Sequence, residues 1–235
     1  MRHKRGFSAD LSVCGAYHKN MESGDSVSRA HVIITGTGRA GTSFLVQLTT
    51  YLGLDTGYTP NNMAIFSDSR AGLEHDVRLE NAPYIVKSPW FCRYAEEVIQ
   101  TRKDIQIDHV FIPMRDLHAA AESRRYVNEK AKSKLSQAEW DKVDASRIPG
   151  GLWLTSDENE QESILLTTLY KLELALSDSM IPVTLLRYPR IVKDSQYLYA
   201  KLKPILKEIT YEQFEVVFNK TVRPEFVHSF NAQDH

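Results

Sequence analysis

His31-Val32-Ile33-Ile34-Thr35-Gly36-Thr37-Gly38-Arg39-Ala40-Gly41-Thr42-Ser43 joins three kinds of signal within thirteen residues. His31 to Thr35 is a short β-branched apolar run, the composition of a strand buried on both faces of a parallel sheet. Three glycines follow at once, and Phe44, Leu45, Leu48 and Leu52 then recur at helical spacing. The glycine-rich turn therefore lies between a strand and a helix. Glycines at 36, 38 and 41 free the backbone from Cβ restrictions, so successive N–H groups can turn inward while the next helix aims its positive end at an anion. Against the nucleotide-hydrolase pattern of glycine, four residues, glycine, lysine and a hydroxyl residue, Gly36 to Ser43 departs at one place: Thr42 stands where lysine belongs. The basic residue is instead Arg39, inside the loop.

Outward from this stretch the pattern repeats. Tyr84–Lys87, His109–Ile112 and Pro182–Arg187 read as further strands. Asp116 is a plausible cap for a helix over Leu117–Lys134, and Ser136 to Lys142 continues helical or polar. Ile148-Pro149-Gly150-Gly151 breaks the chain before a helix over about Asp157–Ser177, where Leu165, Leu169, Leu172 and Leu176 share a face. A last helix spans about Ser195–Leu206. Strands alternating with helices predict a three-layer α/β/α domain of phosphate-loop type with a mostly parallel central sheet, whose ligands bind beyond the carboxyl ends of the strands. Residues 1–29, rich in Ser, Gly and charge, read as a flexible arm, and residues 30–235 as a single domain.

Composition narrows the partners. The 235 residues carry 29 basic and 30 acidic side chains, a net charge of −1, which argues against a dedicated nucleic-acid binder. Cys14 and Cys92 lack the close spacing of a metal knuckle or redox pair, and free thiols in a reducing compartment are expected. The longest uncharged stretch, Ala40 to Leu54, is too short and too polar for a membrane span. The basic start Met1–Arg5 is not followed by an apolar run, so the expectation is a cytoplasmic protein.

The loop Gly38-Arg39-Ala40-Gly41-Thr42-Ser43-Phe44-Leu45 resembles that of sulfotransferases, which bind the 5′-phosphosulfate end of 3′-phosphoadenosine 5′-phosphosulfate (PAPS), and specifically the branch with arginine in the loop, which includes protein-tyrosine, carbohydrate and many bacterial members. Phe111-Ile112-Pro113-Met114-Arg115-Asp116, with Ser123 eight positions after the arginine, resembles the second block of that family, which holds the 3′-phosphate. A strand-end arginine and a residue on the second turn of the next helix can converge on one anion. Leu186-Arg187-Tyr188 resembles the strand-end tyrosine placed near adenine, although Tyr188 reads equally as a half-buried core residue. A basic-glycine motif found near the carboxyl terminus of cytosolic members is missing, and Lys220 and Arg223, the nearest basic residues, read as solvated charges. The resemblance covers about residues 31–206.

It implies nucleotide binding by Gly38, Arg39, Ala40, Gly41, Thr42, Ser43, Arg115, Ser123 and Tyr188, and sulfuryl transfer from PAPS, leaving 3′-phosphoadenosine 5′-phosphate (PAP), to a hydroxyl or amine of a small-molecule, carbohydrate or lipid acceptor, with no metal required. Arg39 and Lys87 would stabilise charge on the transferred group, Lys87 lying in a lysine-serine-proline segment that also resembles the family; a lysine snorkelling from a strand end is the plainer reading. The resemblance favours Glu74 as the base that takes the acceptor proton, with His75 as rival because imidazole titrates near neutrality. His109 and His118 read as structural. Two other functions fit a glycine loop: a Mg-ATP kinase, with Asp116 argued into the metal role, and a nucleotide-binding module without catalysis. Glu129 to Glu162, with Trp140, Trp153 and a proline-glycine turn, reads as a lid or acceptor wall.

Overall fold

The computed structural model describes residues 28–66 and 71–226. The arm expected over residues 1–29 thus falls almost wholly outside the described residues, as does Cys14. Four strands, β1 (Arg29–Ile34), β2 (Ile85–Lys87), β3 (Ile105–Met114) and β4 (Val183–Arg187), form one sheet of order β2-β1-β3-β4, and every pairing is parallel. Between and after them lie α1 (Thr42–Tyr51), α2 (Ala95–Thr101), α3 (Leu117–Lys132), α4 (Gln137–Trp140), α5 (Gln161–Ser177), α6 (Ser195–Leu206) and α7 (Tyr211–Thr221). The result is an α/β fold in which helices flank a four-stranded parallel sheet.

Side chains alternate across a strand, and that alternation divides the core. Val32, Ile34, Ile85, Phe111 and Leu186 pack with Leu45 and Leu48 of α1, Leu198 and Leu202 of α6, and Phe214 and Phe218 of α7. Ile33, Val86, Val110 and Ile112 pack with Val98 of α2 and Leu172 and Leu176 of α5. The leucines expected on one face of α5 are accordingly its buried side, with Leu169 at the margin. No helix among the described residues is long and apolar enough to cross a membrane.

Several boundaries differ from the sequence reading. The third strand starts at Ile105, four residues before His109, because that first half pairs with Arg29–His31 of β1, with a register shift before Val32. Ile105-Gln106-Ile107-Asp108 alternates apolar and polar as a half-buried strand does, a signal that counting continuous apolar runs passes over. The first strand correspondingly begins at Arg29, whose guanidinium meets Asp104 at 2.9 Å. Asp157 caps a single turn of 3₁₀ helix before α5 begins at Gln161. Helices α2 and α7 were not foreseen, although Thr210 and Gln213 form a capping box at the start of α7.

Topology places the candidate site. From β1 the chain passes to β2 on one side and then crosses to β3 on the other, so the connections diverge at the carboxyl end of β1 and leave a crevice there. Register levels the strand ends: Ile34 lies opposite both Lys87 and Phe111. The glycine loop therefore emerges beside Lys87 on one flank and near Arg115 on the other.

Candidate functional site

The loop takes an unusual path. Gly36, Gly38, Arg39 and Gly41 all have positive φ, and Gly41 leads directly into α1. Two of the glycines are also required sterically. A Cβ on Gly38 would lie 2.7 Å from Nη2 of Arg124, and one on Gly41 would lie 3.0 Å from Cδ1 of Ile191 and 3.3 Å from the Tyr188 ring. Arg39, at φ 54°, adopts a left-handed conformation that a side chain rarely takes, which is the kind of strain that collects at functional sites.

On the β3 flank, Arg39 Nε donates to Ser123 Oγ at 3.1 Å, and Arg115 Nη1 donates to the Arg39 carbonyl at 3.1 Å. The Arg115 guanidinium also lies over the Tyr188 ring, 5.1 Å from its centre. Burial, reinforced by neighbouring Arg115, pulls the Arg39 guanidinium down to about 10, and burial lowers Arg115 as well. Both keep their charge at neutral pH. Like charges held this close favour an anion between them.

On the β2 flank, Lys87 is 3% exposed, so it does not snorkel from the strand end. It follows Ile85 by two positions and thus points to the face that carries α1. There its Nζ donates to Ser43 Oγ at 2.9 Å, to the Gly72 carbonyl at 2.6 Å and to Glu74 Oε1 at 2.9 Å. Desolvation lowers the Lys87 ammonium, and the Glu74 carboxylate opposes that shift. Glu74 Oε1 also accepts from the Gly72 backbone N–H.

Both flanks open on one cleft of about 990 Å³, at the upper end of the size that takes a small ligand. Gly38, Arg39, Gly41, Thr42, Ser43, Glu74, Lys87, Arg115, Ser123 and Tyr188 all line it. Ala40 does not: its side chain is fully buried in the core beneath the loop, leaving only backbone to serve a ligand. His75 does not line the cleft either. It borders a separate cavity of about 580 Å³ and packs 4.8 Å from the Tyr58 ring, and burial lowers its imidazole. Glu74 borders both cavities.

The expected lid contributes Lys130 from its first half and a continuous stretch from its second. Residues 146–154 line the cleft, and Trp153 lies nearly parallel to Trp90 with ring centres 6.3 Å apart. Trp140 is not among the lining residues, and Lys132 sits over its ring. Asp116 accepts from the Ala119 N–H at 2.9 Å and so serves as the cap of α3. His109 bonds Thr184 within the sheet, as a structural histidine does. His118 lies within 4.8 Å of Glu122 and Glu162, a set that sequence spacing did not suggest. Arg125 donates to both carboxylates, so the cluster is read as a salt-bridge knot outside the cleft.

Sequence reasoning missed Trp90 and Arg124. Lys220 and Arg223 are exposed, as solvated charges are, and also line the cleft, since α7 packs on α1 and brings Lys220 and the residues just after the helix to that side. Trp90 follows the strand-end Lys87-Ser88-Pro89. Arg124 is 4% exposed, and its signal was present: it falls four residues after the fully buried Ala120 and three before buried Val127, placing a guanidinium on the apolar face of α3. No protein-family model, curated protein or solved structure matches this chain. Its functional reading therefore rests on the loop residues and their geometry.

Proposed function

We propose that the chain is a PAPS-dependent sulfotransferase of three-layer phosphate-loop type. The observation that carries this reading is the two-sided clustering about the glycine loop, with Arg39, Arg115 and Ser123 on one flank and Ser43, Lys87 and Glu74 on the other. A donor with a phosphosulfate and a separate 3′-phosphate needs two anion sites, and basic side chains on both flanks of one cleft support that requirement. The loop amides, Thr42 and Ser43 would hold the 5′-phosphosulfate, and Arg115 and Ser123 the 3′-phosphate, with Tyr188 beside the base.

The donor supplies a sulfuryl group whose sulfur–oxygen bond to the 5′-phosphate breaks as the acceptor oxygen or nitrogen bonds to sulfur. Glu74 takes the proton that the acceptor loses. Lys87, already poised between Ser43 and Glu74, donates to charge developing on the group in transfer, and Arg39 does so from the loop. A small-molecule, carbohydrate or lipid hydroxyl, or an amine, is the acceptor class. A Mg-ATP kinase is less well served, since Thr42 replaces the loop lysine and Asp116 is engaged as a helix cap.

Isothermal titration with PAP, Mg-ATP and Mg-GTP tests the reading. PAP is expected to bind tightly with or without magnesium, and to displace any weaker binding of the other two. Binding of Mg-ATP alone would overturn it.

A further inference from the structure

Arg124 joins two parts of the cleft that are distant in sequence. Its Nη2 donates to the carbonyl of Thr37 in the glycine loop at 2.6 Å, and its Nη1 to the carbonyl of Gly151 in the wall at 2.7 Å. The guanidinium also lies 5.2 Å from the centre of the Trp153 ring. Its Nε has no partner among the described residues. Burying a guanidinium against carbonyls, without a carboxylate, carries a desolvation cost that a methionine of similar volume would avoid. What the guanidinium provides is a planar fork whose arms reach two backbone segments together.

The wall is built to respond to that contact. Residues 148–151 turn tightly, with Gly150 at φ 76° and the Gly151 N–H donating to the Ile148 carbonyl. Gly151 sits so close to α3 that a Cβ would lie 2.8 Å from Asn128 Oδ1. Beyond it, the Trp153 backbone is tied in both directions to buried Gln161 at the start of α5. The far end of the wall is thus fixed to a helix, and its middle is held by Arg124. Burial, reinforced by the nearby charge of Arg39, brings the Arg124 guanidinium down to about 9.

We infer that Arg124 is a positioning residue that couples occupancy of the glycine loop to the placing of the 148–154 wall. An anion on the loop offsets the charge of Arg39 beside it and steadies Thr37, and the same guanidinium passes that order to Gly151 and Trp153. The coupling requires only an anion on the loop. Its consequence for acceptor binding rests on the sulfotransferase reading.

Hydrogen exchange of the full chain, with pyrophosphate and PAP added separately, tests this. In the wild type, saturating pyrophosphate is expected to slow exchange of amides 148–154 by about five-fold. Arg124→Gln should abolish that protection while the protein keeps a cooperative thermal transition. Trp153→Ala, which leaves both Arg124 carbonyl contacts in place, should bind pyrophosphate within about two-fold of wild type, keep the protection around Gly151 and lose it at 153 and 154. It decides the matter should Arg124→Gln fail to fold. In turnover, Trp153→Ala should raise the acceptor KM about ten-fold with kcat little changed, a split that general destabilisation does not produce. Protection that persists in Arg124→Gln, or at 153 and 154 in Trp153→Ala, or that is lacking in wild type with pyrophosphate bound, overturns the coupling. If pyrophosphate binds and protects the wall but PAP does not bind, the sulfotransferase reading falls and the coupling stands. Failure of both to bind overturns both.

Discussion

A proton leaving an acceptor hydroxyl needs a carboxylate or imidazole that faces the substrate, and two adjacent residues compete for that role. Glu74 borders the large cleft and touches Lys87, whereas His75 turns to the separate cavity and packs against Tyr58. Glu74→Gln keeps the shape and removes the base, so transfer of labelled sulfate should fall by about 10²- to 10⁴-fold with PAP affinity nearly unchanged. His75→Ala should leave kcat within a few-fold. The reverse ranking would transfer the role to His75. Sequence could not separate them, because adjacent loop residues share every local signal and only the path through Gly72 and Leu73, both at positive φ, decides which one faces the cleft. Arg39, Arg115 and Ser123 were legible because strand ends and helical spacing fix where they converge. Arg124 and Arg125 differ in helical phase alone: Arg124 shares the apolar face with Ala120 and Val127 and is buried behind the loop, while Arg125 binds Glu122 and Glu162.

Helix α3 carries much of the cleft from a single cap. Asp116 receives the Ala119 N–H, and the helix then presents Ser123 to Arg39 and Arg124 to Thr37. Asp116→Ala should cost about 1 kcal/mol of stability, read as a lower urea midpoint. Because Ser123 rides on the second turn, PAP affinity should drop only a few-fold, with no dependence on magnesium. A large loss confined to magnesium-containing buffer would return Asp116 to the metal role of a kinase. The same element shows how far pattern reading extends: the cap and the alanine run announce α3 plainly. Helix α7 announced itself less well, since a capping box at Thr210 is a local signal, while the reason it reaches the cleft is long-range packing of Phe214 and Phe218 beside α1. The first half of β3 escapes a count of continuous apolar runs, although Ile105 and Ile107 alternate with Gln106 and Asp108 as in a half-buried strand, and its pairing with Arg29–His31 is long-range.

Across the whole molecule, a charge of −1 conceals a cationic cleft: Arg39, Lys87, Arg115 and Arg124 gather there with Glu74 paired to Lys87, while other acids and bases pair outside it. Burial of ionisable groups extends beyond the cleft and sets the response of the fold to pH. His31 bonds the Pro83 carbonyl through Nδ1 at 2.7 Å, while Nε2 of His31 and of His75 is buried with no partner among the described residues. Burial lowers His31, His75 and His109 from the ordinary 6.5. Each is therefore kept neutral in the folded chain and takes up a proton more readily when unfolded. The unfolded state binds more protons between the folded values and 6.5, so stability is full above 6.5 and falls as pH drops below it. Asp76, Asp104 and Glu162 are held low chiefly by arginine hydrogen bonds and lose their contribution only in a more acidic window, as pH falls below the unfolded carboxylate range of about 4. Urea midpoints measured from pH 8 to 3 should accordingly decline in two stages, one below about 6.5 and one near about 4. His31→Gln, which removes one titrating group from the sheet, should flatten the first stage and leave the second in place. A single decline confined to the acidic window would show that the buried histidines do not govern the neutral response.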